Sequence, residues 1–139
     1  MTPRQIGLVT ETLGSLDLDL LVADFYRRVF DTCAQLATMF TTDPAVQRTR
    51  FATELATLVK SIRDLDTFCA SAEALGVRHR GYGARAAHYR LMGTALMASL
   101  AAALDVRWTA EVEEAWKLAY NLTAETMMAG ALKTGTRPS

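Results

Sequence analysis

Residues 75–89 read LGVRHRGYGARAAHY, and this stretch decides how the chain is understood. It holds both histidines, His79 and His88, and three of the eight glycines. Apolar residues recur at helical spacing on either side of it, whereas Gly81-Tyr82-Gly83 marks a bend. Gly76 is expected to end or loosen the preceding helix before His79. A histidine held at a helix end in a helix-rich chain can present its imidazole to a metal-bearing group. It can equally be a hydrogen-bonded structural residue, and His88, just inside the next helix, suits a capping or surface role.

Working outward, helix signals continue to both ends. Thr2 and Pro3 start a first helix running to about Ser15, with Ile6, Val9 and Leu13 as its apolar stripe. Asp17 or Asp19 caps a second, where Leu18, Leu21, Val22, Phe25 and Val29 recur. A short helical piece near residues 33–38 leads to Asp43-Pro44, and Phe51, Leu55, Leu58, Val59 and Ile62 then share one face. Asp64 or Asp66 caps the helix carrying Phe68, Ala72 and Leu75. Beyond the central stretch, a helix from about Ala86 to Leu104 is rich in small residues, Gly93 among them, that allow close approach of another helix or a flat ligand. Thr109 caps the last helix, with Glu111 and Glu113 at the positive end of its dipole. Val112, Trp116, Ala119, Tyr120, Thr123 and Met127 form its inward face.

No stretch alternates long enough for a strand, and heptads are not sustained. The reading is one all-α domain of six to eight helices over residues 1–133, with a mobile tail at 134–139. The length of 139 residues suits one domain, and a chain that is 50% hydrophobic and 22% charged is not disordered.

The totals also exclude several functions. Fifteen basic residues balance fifteen acidic ones, which leaves no electrostatic footprint for nucleic acid or an anionic membrane. Cys33 and Cys69 form no C-x-x-C, which argues against a thiolate metal site or covalent haem attachment. Both are expected to be reduced and buried. Phosphate-loop, H-E-x-x-H and nucleophile-elbow motifs are absent. The N-terminus lacks a signal-peptide core, and the longest uncharged run, Leu91–Leu104, falls short of the ~20 residues a membrane span needs. A soluble, cytoplasmic monomer or homodimer is expected.

His79-x-x-Tyr82 after Leu75-Gly76, followed by His88-Tyr89 and Met92-Gly93-x-Ala95-Leu96, resembles the proximal region of bacterial globins. The likeness is to single-domain haemoglobins of the Vitreoscilla type and to the globin domain of flavohaemoglobins. Phe25-Tyr26-x-x-Val29-Phe30 resembles the family's second helix, and Thr38-Met39-Phe40 the segment ending in the phenylalanine that packs on the porphyrin. Gln47, four residues before Phe51, resembles the distal pair, and Ala115-Trp116-x-x-Ala119-Tyr120 the last helix. The likeness covers nearly the whole chain, and the order and spacing of the elements carry it.

The resemblance implies a globin fold around non-covalently held haem b, iron protoporphyrin IX. His79 would be the proximal iron ligand, Phe40 would lie against the haem face, and Tyr82 and Tyr89 would also contact the cofactor. Tyr26, Gln47 and Phe51 would form the distal ligand pocket. Tyr26 could instead be a core aromatic bonded to a carbonyl, and Gln47 an exposed helix residue. Phe51 stands where relatives usually carry an aliphatic residue. In flavohaemoglobins a tyrosine at the Tyr89 position joins a glutamate of the last helix in orienting the proximal histidine. Counting from Trp116 and Tyr120 puts that glutamate at Lys133, with Glu125 about two turns too early. The anionic partner is therefore expected to be missing, which disfavours peroxidase-like chemistry.

The function implied is reversible binding of oxygen, nitric oxide and carbon monoxide for storage, transport or scavenging. The alternative is a nitric oxide dioxygenase working with a separate reductase, since the sequence carries no flavin or nicotinamide domain. Gas sensing and a cofactor-free helical interaction module are the other classes the sequence leaves to weigh.

Overall fold

The computed structural model describes residues 1–39, 43–81 and 85–135, without the side chains of 37–39, 81 and 133–135. Six α-helices and two 3₁₀ turns make up the described residues, with no strand among them. The protein is all-α.

Local signals place most helix starts. Thr2 and Gln5 cap α1 (Pro3–Gly14) reciprocally, and Pro3 supplies a first residue that has no amide to satisfy. Of the two candidate aspartates, Asp17 caps α2 (Leu18–Thr32), its carboxylate accepting from the amides of Asp19 at 3.0 Å and Leu20 at 3.2 Å. A 3₁₀ turn (Ala34–Met39) follows. Asp43 caps α3 (Pro44–Ser61), accepting from Ala45 at 2.8 Å. Asp64, rather than Asp66, accepts from the Thr67 hydroxyl at 2.7 Å at the start of α4 (Leu65–Gly81). After α5 (Ala86–Leu104) and a 3₁₀ turn (Asp105–Arg107), Thr109 accepts from Val112 at 3.2 Å to cap α6 (Ala110–Gly135). The last helix thus runs to Gly135, two residues further than the sequence reading carried the domain.

Gly76 does not end α4. The helix continues through it to Gly81, and the absence of a side chain serves packing. A Cβ at Gly76 would overlap the Met127 carbonyl of α6, and one at Gly130 would lie 2.7 Å from the Glu73 backbone of α4. The two helices cross with backbones nearly touching, and a glycine from each side permits it. Gly93 of α5 similarly makes room for the Tyr120 ring of α6, so that small residue admits a helix.

α2 crosses α5, α1 and α4 lie along α6, and α3 packs on α2 and α4. Val9, Val22, Phe25, Val29, Phe68, Leu100 and Leu104 are nearly or completely shielded from solvent between these layers. Full burial of each such side chain contributes roughly 1.5–3 kcal/mol. Trp116 joins α6 to α1: its buried indole donates to the Thr12 hydroxyl at 2.9 Å. Cys33 and Cys69 are unpaired but half-buried at the edge of the core, less enclosed than expected, because each sits where its helix turns toward solvent-facing residues. No described helix is long and apolar enough to cross a membrane.

Candidate functional site: a cavity between five helices

The layers leave a cavity of about 250 Å³, walled mostly by apolar side chains from α2, α3, α4, α5 and α6. Of the seven site residues read from the sequence, His79, Tyr89, Tyr26, Gln47 and Phe51 all line it. Phe40 and Tyr82 lie outside the described residues.

His79 sits in the last turn of α4, half-buried, with Nδ1 2.9 Å from the Leu75 carbonyl oxygen one turn earlier. A carbonyl only accepts, so Nδ1 carries the proton and donates. This bond selects the tautomer whose lone pair is on Nε2, the one in which histidine ligates a metal through that atom.

Three aromatic rings gather between α2 and α3. Phe51 stacks on Phe25 at 4.6 Å and 15°, and meets Tyr26 edge-on at 5.7 Å and 72°. Tyr26 is 6% exposed, and its hydroxyl is hydrogen-bonded to the Gln47 side chain. Burial is the main reason its pKa is pushed up to about 12, with the nearby Glu54 carboxylate acting in the same direction and the Gln47 bond opposing. The phenol therefore keeps its proton at neutral pH. Gln47 follows from the Asp43 cap, which sets the register of α3, and four residues on, Phe51 shares its face.

On α5, the Tyr89 ring lies 6.5 Å from the His79 ring at 33°, and its backbone carbonyl accepts from the Tyr120 hydroxyl at 2.5 Å. Burial raises the pKa of both tyrosines. α6 contributes Trp116, Ala119, Tyr120, Thr123, Ala124 and Met127 to the wall, none of them acidic, and Glu125 is exposed. Gly130 packs against Glu73, six residues and about 9 Å before His79 along α4. Position 133 lies further along still. Counting along the sequence therefore does not bring that position beside His79, because the glycine-mediated crossing sets the register of α6 on α4.

Sequence reasoning missed four ionisable lining residues, Arg50, Glu54, Arg78 and His88. His88 Nδ1 accepts from the Arg85 amide at 2.9 Å, the capping role considered for it, but His88 also reaches the cavity. Glu54 and Arg78 line it too and form an ion pair at 3.2 Å. The helical spacing of Glu54 from Gln47 and Phe51 was the available signal for the first of these. Arg78 is legible only once α3 and α4 are brought together. No group of three or more His, Cys, Asp or Glu side chains able to hold a metal occurs among the described residues.

The helices thus enclose a cavity lined by His79 and by the hydrogen-bonded Tyr26–Gln47 pair, and the comparisons give the class of protein. Residues 23–127 match the globin family, and the chain belongs to it. It is 24% identical over 130 residues to the flavohemoprotein of Bacillus subtilis, covering 90% of this chain and 33% of that protein. This chain thus spans about a third of that relative's length. Among solved structures, a bacterial globin from Campylobacter jejuni superposes with a TM-score of 0.85 at 19% identity, covering 98% of this chain and 100% of the other. An engineered carbene transferase, a putative nitric oxide dioxygenase from Rhodothermus marinus, gives 0.86 at 21% identity, covering 96% and 95%. These likenesses establish the fold.

Proposed function

We propose that this globin holds haem b non-covalently in the cavity through His79 and binds oxygen and other diatomic ligands reversibly beneath Tyr26 and Gln47. The observation that carries the reading is the convergence, in one largely apolar cavity, of an imidazole whose Nδ1 faces the Leu75 carbonyl and a hydrogen-bonded phenol–amide pair. The residues suit the group: apolar walls accept a planar macrocycle, and the Arg50 cation among them complements its acidic edge.

Bound haem would supply an iron that takes up diatomic ligands. His79 would be the residue that holds that iron, and the Leu75 carbonyl sets the tautomer and orientation of its ring. A carbonyl is a weaker acceptor than a carboxylate, so the histidine keeps little anionic character, which favours reversible binding over bond cleavage. The Tyr26 hydroxyl would be available to donate to a diatomic ligand held in the cavity, a hydrogen bond worth ~1–3 kcal/mol to a partner carrying negative charge. Release would slow by about tenfold or more as a result. Phe25 and Phe51 exclude water from that bond.

A second reading, nitric oxide dioxygenase with a separate reductase, draws on the same Tyr26–Gln47 pair and on the similarity to a flavohemoprotein. Haem titration of two variants tests the primary assignment. His79→Ala is expected to lose stoichiometric haem binding, whereas His88→Ala keeps it. Full haem content with unaltered spectra in His79→Ala would show that the ligand lies elsewhere.

A further inference from the structure

Hydrophobic anchoring of α4 stops short of the histidine it presents. Phe68, Ala72, Leu75 and Gly76 are buried, but Val77, Arg78 and Arg80 are exposed and His79 is half-buried. The backbone contact between Gly76 and Met127 fixes α4 on α6 three residues before His79. The final turn of α4 and the facing residues of α3 both line the cavity, so what holds one against the other bears on the cavity's width.

α3 is also lightly anchored. Val59 is its one buried residue, while Gln47, Phe51, Leu55 and Leu58 are half-buried along the cavity. Glu54 lies two turns after Gln47 on that face, and its carboxylate accepts from the Arg78 guanidinium at 3.2 Å. Both partners line the cavity, and their side chains are 35% and 53% exposed, which places the pair at the solvent-facing rim.

We infer that the Glu54–Arg78 ion pair is a clasp across the cavity rim, positioning the His79 turn against the helix that carries Gln47 and Phe51. It makes Glu54 and Arg78 positioning residues for the proximal histidine. Glu54 also places a negative charge near Tyr26, so Arg78 screens that charge while it holds the turn. A rim pair is reached by salt, so the grip of the cavity on its contents weakens as ionic strength rises. This inference rests on the haem reading above.

The test uses the haem-loaded protein. Haem loss from the ferric form to an excess of a tighter-binding apo-globin is followed at low and high salt, with the iron–histidine stretching frequency of the reduced form recorded in parallel. Glu54→Gln and Arg78→Gln should each speed haem loss by about two- to fivefold, the scale of a partly exposed ion pair, and abolish most of its salt dependence. Both should shift the iron–histidine stretch. The exchanged double variant, Glu54→Arg with Arg78→Glu, should restore the slower loss and the original frequency. Acceleration by Arg78→Gln alone would overturn the clasp and assign Arg78 to the acidic edge of the cofactor. Unchanged loss in both single variants, with one haem per chain, would overturn it also. Failure of the parent protein to take up haem would instead reject the haem reading itself.

Discussion

Tyr26 is the residue where the account is most exposed to a single-atom test. Its hydroxyl is enclosed, bonded to Gln47 and pushed up to about 12 chiefly by burial. A phenol with a raised folded-state pKa keeps its proton in the folded protein after the unfolded chain has released one, so folding stability falls as pH climbs from 10 to 12. Tyr26 should contribute a loss on the order of 2 kcal/mol across that window. Denaturant unfolding at pH 9 and pH 12 measures it. Tyr26→Phe should flatten the decline, while an unaltered slope would mean that the hydroxyl is hydrated. The same variant, loaded with haem, should release oxygen several-fold faster in stopped-flow measurements. No change would place the hydroxyl out of the ligand's reach.

At the scale of the elements, the fit of α4 on α6 rests on backbone proximity. Gly76→Ala puts a methyl against the Met127 carbonyl, where backbone rather than a flexible side-chain tip must move, and should cost about 2–3 kcal/mol of unfolding free energy. Equilibrium urea unfolding reads the loss; a variant as stable as the parent would show that the crossing is looser than described. The join between α5 and α6 offers a change of opposite sign. Asp105 has φ 51° and ψ −115°, a conformation that glycine adopts freely and other residues at a cost. Asp105→Gly should raise stability by about 0.5–1 kcal/mol, seen as a Tm increase of a few degrees. A lowered Tm would mean that the carboxylate makes a contact worth more than the relieved strain.

For the molecule as a whole, the helical pattern was largely legible because it is local. Caps at Thr2, Asp17, Asp43 and Thr109 and the apolar faces between them follow from neighbouring residues, and the six α-helices with two 3₁₀ turns fall within the expected count. Gly76 was misread because a mid-helix glycine and a helix-ending glycine look alike until the partner helix is known. Where residue 133 falls along α4 was not legible for a related reason: the crossing of α4 and α6 is fixed by contacts between residues far apart in sequence. The meeting of Tyr26, Gln47, Phe51, His79 and Tyr89 in one cavity followed from family resemblance, since spacing alone does not bring α2, α3, α4 and α5 together. Glu54 and Arg78 required the assembled helices.

The central claim is that this cavity holds a haem on His79, and the visible absorption spectrum addresses it most directly. The purified protein, reconstituted with haem where needed, would be recorded ferric, dithionite-reduced, and reduced under carbon monoxide. The account predicts one haem per chain and a carbonyl spectrum typical of histidine-ligated iron, both lost in His79→Ala. A protein that takes up no haem under any of these conditions would contradict it and leave His79 a structural histidine bonded to Leu75.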